Sequence, residues 1–193
     1  MNEVSSVAVF CGSRPGHDPA YAAAARDLGW GLAAAGIRLV YGGGKNGLMG
    51  ELADAMLGDG GQVHGIIPEF LMGWEVAHPG LTTLEITRDM HSRKRRMAEE
   101  ADAFVTLPGG IGTLDETIEI LSWRQLRLHT RPVYIVDIAG FATHFLAAIE
   151  ASITQGFASE GVRDFFTVVS GVPELLERLE KDPRGSGLEA ART

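Results

Sequence analysis

Cysteine is almost absent from this chain of 193 residues, because Cys11 is the only one. An internal disulfide is therefore excluded, and the composition is typical of a reducing compartment. No apolar run approaches the ~18 residues that a membrane-spanning helix needs, and the first residues lack the basic region of a secretory signal peptide. We therefore expect a cytoplasmic protein with no membrane partner.

A surplus of positive charge is also missing, because the formal net charge is −8. General nucleic-acid binders are normally basic, so we expect no nucleic-acid partner. The six histidines form no His-x-x-x-His pair, which argues against a metal site. A small anionic ligand stays compatible with the sequence, because five basic residues are concentrated at positions 88 and 93–96.

Apolar strands alternate with helical segments along the whole chain. The predicted strands are 4–11, 37–41, 62–67, 81–87, 103–107, 132–137 and 165–170, and the predicted helices are 19–35, 48–57, 90–101, 113–126, 141–154 and 173–179. Apolar strands separated by helices predict an α/β fold, a Rossmann-like parallel sheet with helices on both faces. We expect a single domain over 1–180, an irregular segment at 70–80 in which Trp74 is a candidate pocket residue, and a flexible tail at 181–193.

Three glycine-rich loops, 12–16, 42–47 and 109–112, follow predicted strands. Ligands of such sheets bind beyond the carboxyl ends of the strands, so we expect these loops to converge on one rim. Loop 42–47 matches the G-x-G-x-x-G dinucleotide fingerprint, but it follows the second strand instead of the first, and no acidic residue ends the next strand. A dinucleotide oxidoreductase and simple tight turns remain alternatives, whereas a P-loop is disfavoured further because no Ser or Thr follows Lys45.

The run LPGGIGTLDE at 107–116 is the most informative segment, because a glycine turn there joins a predicted strand to a predicted helix. Such a turn presents backbone N–H groups at the positive end of the helix dipole, which favours phosphate. Glu116 falls in the first turn of that helix. A carboxylate beside a phosphate indicates acid–base or cation-stabilising chemistry on the group that the phosphate carries.

The basic run MHSRKRR at 90–96 is the second strong feature. Arg93 and Lys94 point about 100° apart on a helix, and we expect both to reach one phosphate near the helix start. The alternative is a solvated basic face, which we assign to Arg95 and Arg96.

Seven segments together resemble the Lonely Guy family, the cytokinin riboside 5′-monophosphate phosphoribohydrolases, over about residues 6–170. These segments are FCGS at 10–13, VYGGG at 40–44, GLMG at 47–50, GIIP at 65–68, MHSRK at 90–94, PGGIGTLDE at 108–116 and WRQL at 123–126. The family pattern usually has Glu where this chain has Asp115 and Gly where it has Arg127.

The resemblance implies a Rossmann-like homodimer that cleaves the N-glycosidic bond of a nucleoside 5′-monophosphate, such as AMP or isopentenyladenosine monophosphate, without metal or cofactor. Glu116 and Arg93 would be the catalytic residues. The expected substrate- and phosphate-binding residues are Gly12, Ser13, Gly43, Gly44, Met90, Lys94, Gly109, Gly110, Gly112 and Thr113.

Two alternative functions and the oligomeric state can also be judged from the sequence. A non-catalytic nucleotide-binding protein is the main alternative, although binding alone does not need a carboxylate beside the phosphate. A pyridoxal-dependent decarboxylase is disfavoured, because it needs a Schiff-base lysine and two of the three lysines lie in phosphate-type motifs. The homodimer is also supported by an apolar set that is too broad for one core face, namely Ile118, Leu121, Trp123, Leu126 and Leu128.

Overall fold

The computed structural model describes residues 4–72 and 77–181, so Trp74 and the predicted tail beyond Lys181 lie outside the described residues. The described residues form seven strands: β1 (Ser6–Phe10), β2 (Arg38–Tyr41), β3 (Val63–Pro68), β4 (Thr83–Thr87), β5 (Ala103–Thr106), β6 (Val133–Val136) and β7 (Thr167–Val169). They also form six α-helices: α1 (Pro19–Ala34), α2 (Gly47–Gly58), α3 (Met90–Glu99), α4 (Ile111–Gln125), α5 (Thr143–Thr154) and α6 (Val172–Lys181).

All seven strands pair in parallel in the order β4-β3-β2-β1-β5-β6-β7. The chain builds the sheet outwards from β1 to β4, and then returns to place β5 on the other side of β1. The gap between the carboxyl ends of β1 and β5 is therefore the switch point, where doubly wound sheets bind ligands.

The core lies in two layers, one on each face of the sheet. Alternate residues of β1 face opposite layers: Val7 and Val9 pack with α1, α2 and α6, whereas Ala8 and Phe10 pack with α3, α4 and α5. Because both faces are covered, every residue of β1 is buried. The predicted α/β class, with a parallel sheet and helices on both faces, is confirmed.

The predicted helices and strands are all present, with shifted ends. Asp18 caps α1 as expected, because its carboxylate accepts the Ala20 N–H at 2.9 Å. Helix α4 begins at Ile111, two residues before the predicted start, so Gly112 lies inside its first turn. Two short 3₁₀ turns that the periodicity did not predict occupy Glu69–Leu71 and Glu160–Phe165. Within residues 4–72 and 77–181, no helix has both the length and the apolar content needed to cross a bilayer.

Candidate active site

The three glycine-rich loops meet at the switch point, as the sequence predicts. The Gly12 N–H donates to the Pro108 carbonyl at 3.1 Å, and the Leu48 N–H donates to the Gly12 carbonyl at 2.9 Å. Loop 12–16 thus lies between the other two loops and is bonded to the start of α2 and to the end of the β5 segment. A cavity of about 190 Å³ opens on this junction.

Two of the glycines are required by close approach, and two others face open space. A Cβ at Gly12 would lie 2.9 Å from the Arg14 carbonyl oxygen, and a Cβ at Gly109 would collide with the Thr113 hydroxyl. By contrast, nothing lies within 4 Å of a Cβ built on Gly110 or Gly112, and both line the 190 Å³ cavity. The turn is therefore packed on one side and open to a ligand on the other.

The first turn of α4 is attached to the sheet on one side and faces the cavity on the other. Gly110 is the N-cap in extended conformation, and its position supplies no capping side chain for the N–H groups of the first turn. The buried Thr117 hydroxyl donates to the Thr113 carbonyl at 2.7 Å and bonds the Thr106 hydroxyl of β5 at 2.8 Å. This arrangement fixes the turn to the sheet and leaves its N–H groups and positive dipole end free for an anion.

Arg93 and Glu116 form a buried ion pair on the same cavity. The Arg93 guanidinium Nη1 lies 3.5 Å from Glu116 Oε1, and the two side chains are 9% and 10% exposed. Arg93 Nε donates to the Ile66 carbonyl of β3 at 3.1 Å, and Nη1 contacts the Met90 sulfur at 3.8 Å. The two predicted catalytic residues, which come from different helices, therefore touch in the folded chain.

Gly42 makes room for this pair. A Cβ at Gly42 would collide with the Arg93 guanidinium and lie 3.2 Å from the Met49 sulfur. The sequence pattern instead indicated Gly43 and Gly44, and neither is among the residues that line the two cavities. Gly43 has a positive φ of 78°, and the Gly44 carbonyl accepts the Tyr41 hydroxyl, so these two glycines shape the loop behind the site.

Helix α3 is capped so that Arg93 faces inward. The Asp89 carboxylate accepts the Ser92 N–H at 2.8 Å and the Ser92 hydroxyl at 2.7 Å. These hydrogen bonds lower the pKa of Asp89 to about 2, so the cap is ionised over the physiological range. Met90 follows the cap and lines the cavity, whereas Arg95 points outward and is exposed.

Lys94 is placed differently from the prediction. Its Nζ lies 2.5 Å from Asp115 Oδ2 and 3.4 Å from Glu119 Oε2, and Lys94 is not among the residues that line the cavity. The expectation that Arg93 and Lys94 reach the same phosphate does not match this geometry, because neighbouring helical positions diverge and the carboxylates of α4 hold the amine. Arg96 binds Glu85, Glu99 and Glu100 and is no freely solvated charge.

Cys11 lies on the cavity floor as a buried thiol. Burial raises the pKa of Cys11 far above its usual range, and the nearby Glu116 carboxylate adds to the rise. The thiol therefore stays protonated, which agrees with the packing role that free buried cysteine usually has.

A second cavity, of about 360 Å³, lies on the α1 side of the same turn and shares Ser13 and Gly110 with the first. Its walls include Tyr21 and Phe141, whose rings meet edge to face with centroids 5.8 Å apart. Among the residues that the structure describes, no cluster of three metal-ligating side chains occurs.

The site combines predicted and unexpected residues. Of the predicted set, Ser13, Met90, Arg93, Gly110, Gly112, Thr113 and Glu116 line the 190 Å³ cavity, and Gly12 and Gly109 line the 360 Å³ cavity. Gly42, Met49 and the cap Asp89 were missed. Asp89 carries a readable signal, since an Asp directly before a helical run is a common N-cap. Gly42 lies in the loop after β2, and its role depends on Arg93 of α3, so no local sequence signal marks it.

Comparisons with known proteins give consistent results. A family model described as "Possible lysine decarboxylase" matches residues 49–179. A cytokinin riboside 5′-monophosphate phosphoribohydrolase of Rhodococcoides fascians is 45% identical over 159 residues, which cover 82% of this chain and 80% of the relative. A probable enzyme of the same name from Oryza sativa subsp. japonica, LOG4, is 41% identical over 176 residues, which cover 91% and 76%.

The fold also matches solved structures. The molybdenum cofactor binding protein from Rippkaea orientalis superposes with a TM-score of 0.71 over 94% of this chain and 97% of that one, at 17% identity. Identity this low supports a shared fold and nothing about the ligand.

Proposed function

Because this chain belongs to the family of cytokinin riboside 5′-monophosphate phosphoribohydrolases, we propose that it hydrolyses the N-glycosidic bond of a nucleoside 5′-monophosphate. The products are a free base and ribose 5-phosphate. The observation that carries the proposal is the buried Arg93–Glu116 pair, which lies on the same cavity as the open first turn of α4.

The phosphate binds at the first turn of α4. Gly110 and Gly112 leave space beside their backbone and line the cavity, and no side chain caps the N–H groups of this turn, so these groups and the positive end of the helix dipole are available to an anion there. Thr113 lies in the same turn and lines the cavity, so its hydroxyl adds one donor. This arrangement requires no metal, because backbone dipoles supply the positive field.

Glu116 lies in the second turn of α4 and not in the first turn that the sequence indicated, because the helix begins at Ile111. The ribose of a bound nucleotide would extend towards this second turn. As the C1′–N bond breaks, positive charge develops on the ribose ring, and a carboxylate at its face stabilises that charge or positions the attacking water. The bonding electrons leave with the base, which takes up a proton, and the attacking water forms the new C1′–O bond and gives up a proton. Arg93 orients Glu116 through the 3.5 Å contact and is itself oriented by the Ile66 carbonyl.

The lysines do not support decarboxylase chemistry, despite the description of the family model. Burial lowers the pKa of Lys94, but hydrogen bonds to Asp115 and Glu119 and their charges outweigh burial, so the net shift is upward. A Schiff-base lysine needs the opposite shift, because the free amine is the nucleophile. Lys45 is exposed, and Lys181 ends α6.

The direct test is chromatographic detection of free base. The full-length protein is incubated with AMP and, in parallel, with isopentenyladenosine monophosphate. Equimolar base and ribose 5-phosphate support the proposal, and the ratio of the two efficiencies identifies the preferred base. A protein that binds both nucleotides but releases no base would instead be a nucleotide-binding module.

The homodimer and the cytoplasmic location belong to the same proposal. Leu126 and Leu128 are 67% and 66% exposed at the end of α4, and Ile118 is 45% exposed, which is apolar surface that a second copy would cover. A free thiol at Cys11 suits a reducing compartment.

A further inference from the structure

Helices α3 and α4 are joined by two neighbouring ion pairs. Arg93 of α3 binds Glu116 of α4, and the next residue of α3, Lys94, binds the preceding residue of α4, Asp115. Lys94 also reaches Glu119, one helical turn further along α4. We call Lys94, Asp115 and Glu119 the α3–α4 clamp.

The clamp is well placed to fix the rotation of α4. Asp115 and Glu119 are four positions apart and therefore lie on one face of the helix, so a single amine holds two points along it. The Lys94 side chain is 13% exposed, whereas those of Asp115 and Glu119 are 56% and 24% exposed. The cation is thus enclosed between the helices, and of its two carboxylates Asp115 also lines the 190 Å³ cavity whereas Glu119 does not.

We propose that Lys94 is a positioning residue which, by binding Asp115 and Glu119, sets the Arg93–Glu116 geometry and does not bind the substrate phosphate. The inference rests on the proposed function, because it assigns a role within that reaction. Glu116 directly follows Asp115, so a rotation of α4 that separates Lys94 from Asp115 also moves the catalytic carboxylate. Displacements of this kind lower turnover, because the reacting groups leave their productive orientation.

The first test is Lys94→Met, which removes the charge and keeps the length of the side chain. We expect kcat for AMP to fall ~10-fold, because orientation is lost, while the inhibition constant of ribose 5-phosphate changes less than ~2-fold. Lys94→Arg, which keeps the charge, restores part of kcat. A phosphate ligand behaves differently: its loss weakens ribose 5-phosphate binding ~10-fold or more, and that result would overturn the proposal.

The second test changes the carboxylates of the clamp and leaves Lys94 in place, so it stays informative if the lysine variant misfolds. Asp115→Asn combined with Glu119→Gln frees the Lys94 amine, and Glu119→Gln is also measured alone, because Asp115 lines the cavity and Glu119 does not. A positioning role predicts lower kcat, whereas a phosphate-binding role predicts unchanged kcat and tighter ribose 5-phosphate inhibition. Arg95→Met, an exposed change on α3, is the matched control and should leave both constants unchanged.

Calorimetric titration with ribose 5-phosphate separates this proposal from the proposed function. If the wild-type protein releases no base from AMP, the proposed function fails. The role of Lys94 is then still decided by binding, which Lys94→Met keeps if the residue only positions α4 and loses if it contacts phosphate.

Discussion

Glu116 and Arg93 are both buried, although taking either charge alone out of water costs several kcal/mol. The two charges compensate each other at 3.5 Å, and the Ile66 carbonyl accepts one further guanidinium N–H. Both side chains also line the 190 Å³ cavity, where a bound substrate would contact them. A buried carboxylate that stabilises a cationic transition state offsets this desolvation cost through catalysis.

Glu116→Gln is the most direct test of the carboxylate. The amide keeps the size and one acceptor oxygen but loses the charge, so we expect turnover of AMP to fall ~10²–10⁴-fold. Ribose 5-phosphate should still bind, because its phosphate contacts α4 above Glu116. Steady-state kinetics and calorimetry measure the two effects, and near-normal base release by this variant would remove Glu116 from the mechanism.

Arg93→Ala and Arg95→Ala form a matched pair, because the two arginines lie two positions apart on α3 in different environments. Arg93 is buried against Glu116, and Arg95 is exposed. We expect Arg93→Ala to lower kcat/KM ~10²-fold through lost orientation of Glu116, and Arg95→Ala to change it little. Thermal unfolding of both variants controls for stability. A larger loss in Arg95→Ala would mean that another face of α3 meets the substrate.

At the residue level, local signals can be read from the sequence, whereas contacts between distant segments cannot. The turn at 109–113 was identified because strand, glycines and helix follow one another in the chain. Gly42 was passed over in favour of Gly43 and Gly44, because its importance comes from the guanidinium of Arg93. Lys94 was assigned to phosphate because the sequence does not show that Asp115 and Glu119 face it.

At the level of elements, the first turn of α4 accounts for phosphate recognition, so adenosine should be a poor substrate compared with AMP. Two or more charge-assisted contacts of ~1.5–3 kcal/mol each imply a loss in kcat/KM of ~10²–10⁴-fold without the phosphate. Binding energy from this non-reacting group also orients the ribose. Efficiencies measured side by side decide the question, and comparable values would show that the glycine turn serves packing alone.

Helix α3 depends on its cap, so Asp89→Ala should lower both the melting temperature and the activity. The lost acceptor leaves the Ser92 N–H without its side-chain partner and loosens the turn that carries Arg93. Asp89→Asn is the control, because Asn caps helices about as well as Asp. The pKa of Asp89 is lowered, so its stabilising effect is present above the unfolded-state pKa and is lost as the pH falls towards about 2. Activity retained by Asp89→Ala would show that α3 keeps its position without the cap.

Helix and strand identities followed from periodicity, but their ends depended on backbone detail. Helix α4 starts at Ile111 because Gly110 adopts the extended N-cap conformation, which the sequence GGIG leaves open among three glycines. The 3₁₀ turn at Glu160–Phe165 has no apolar period of its own, and only Val162 within it is buried. Such segments are fixed by what they pack against.

For the whole molecule, the order of the strands brings separate motifs together. Arg93 follows β4 at the sheet edge and Glu116 follows β5 beside β1, yet the crossover back to the centre puts both on one cavity. The parallel fold could be predicted from alternation, whereas the order of strands could not. The same fold is found in a molybdenum cofactor binding protein at 17% identity, so the chemistry depends on the residues at the rim and not on the architecture.

The apolar residues along and after α4 divide into two sets. Leu121 is 6% exposed and Trp123 packs on the core, whereas Ile118, Leu126 and Leu128 are 45%, 67% and 66% exposed. Apolar side chains this exposed and this close in sequence indicate an interface, so we expect light scattering to give twice the monomer mass of 20.6 kDa.

The double variant Leu126→Asp and Leu128→Asp tests whether the two copies meet through this surface. Because buried unpaired carboxylates are costly, the double variant should shift the protein to monomers at micromolar concentration and keep its fold. Trp30→Asp is the control, since Trp30 is 44% exposed on α1, across the sheet from α4. If Trp30→Asp dissociates the dimer and the leucine variant does not, the copies meet through α1. The 190 Å³ cavity lies beside α4. If the leucine variant is the one that dissociates, a second copy lies near the substrate in the dimer, and activity should then depend on protein concentration.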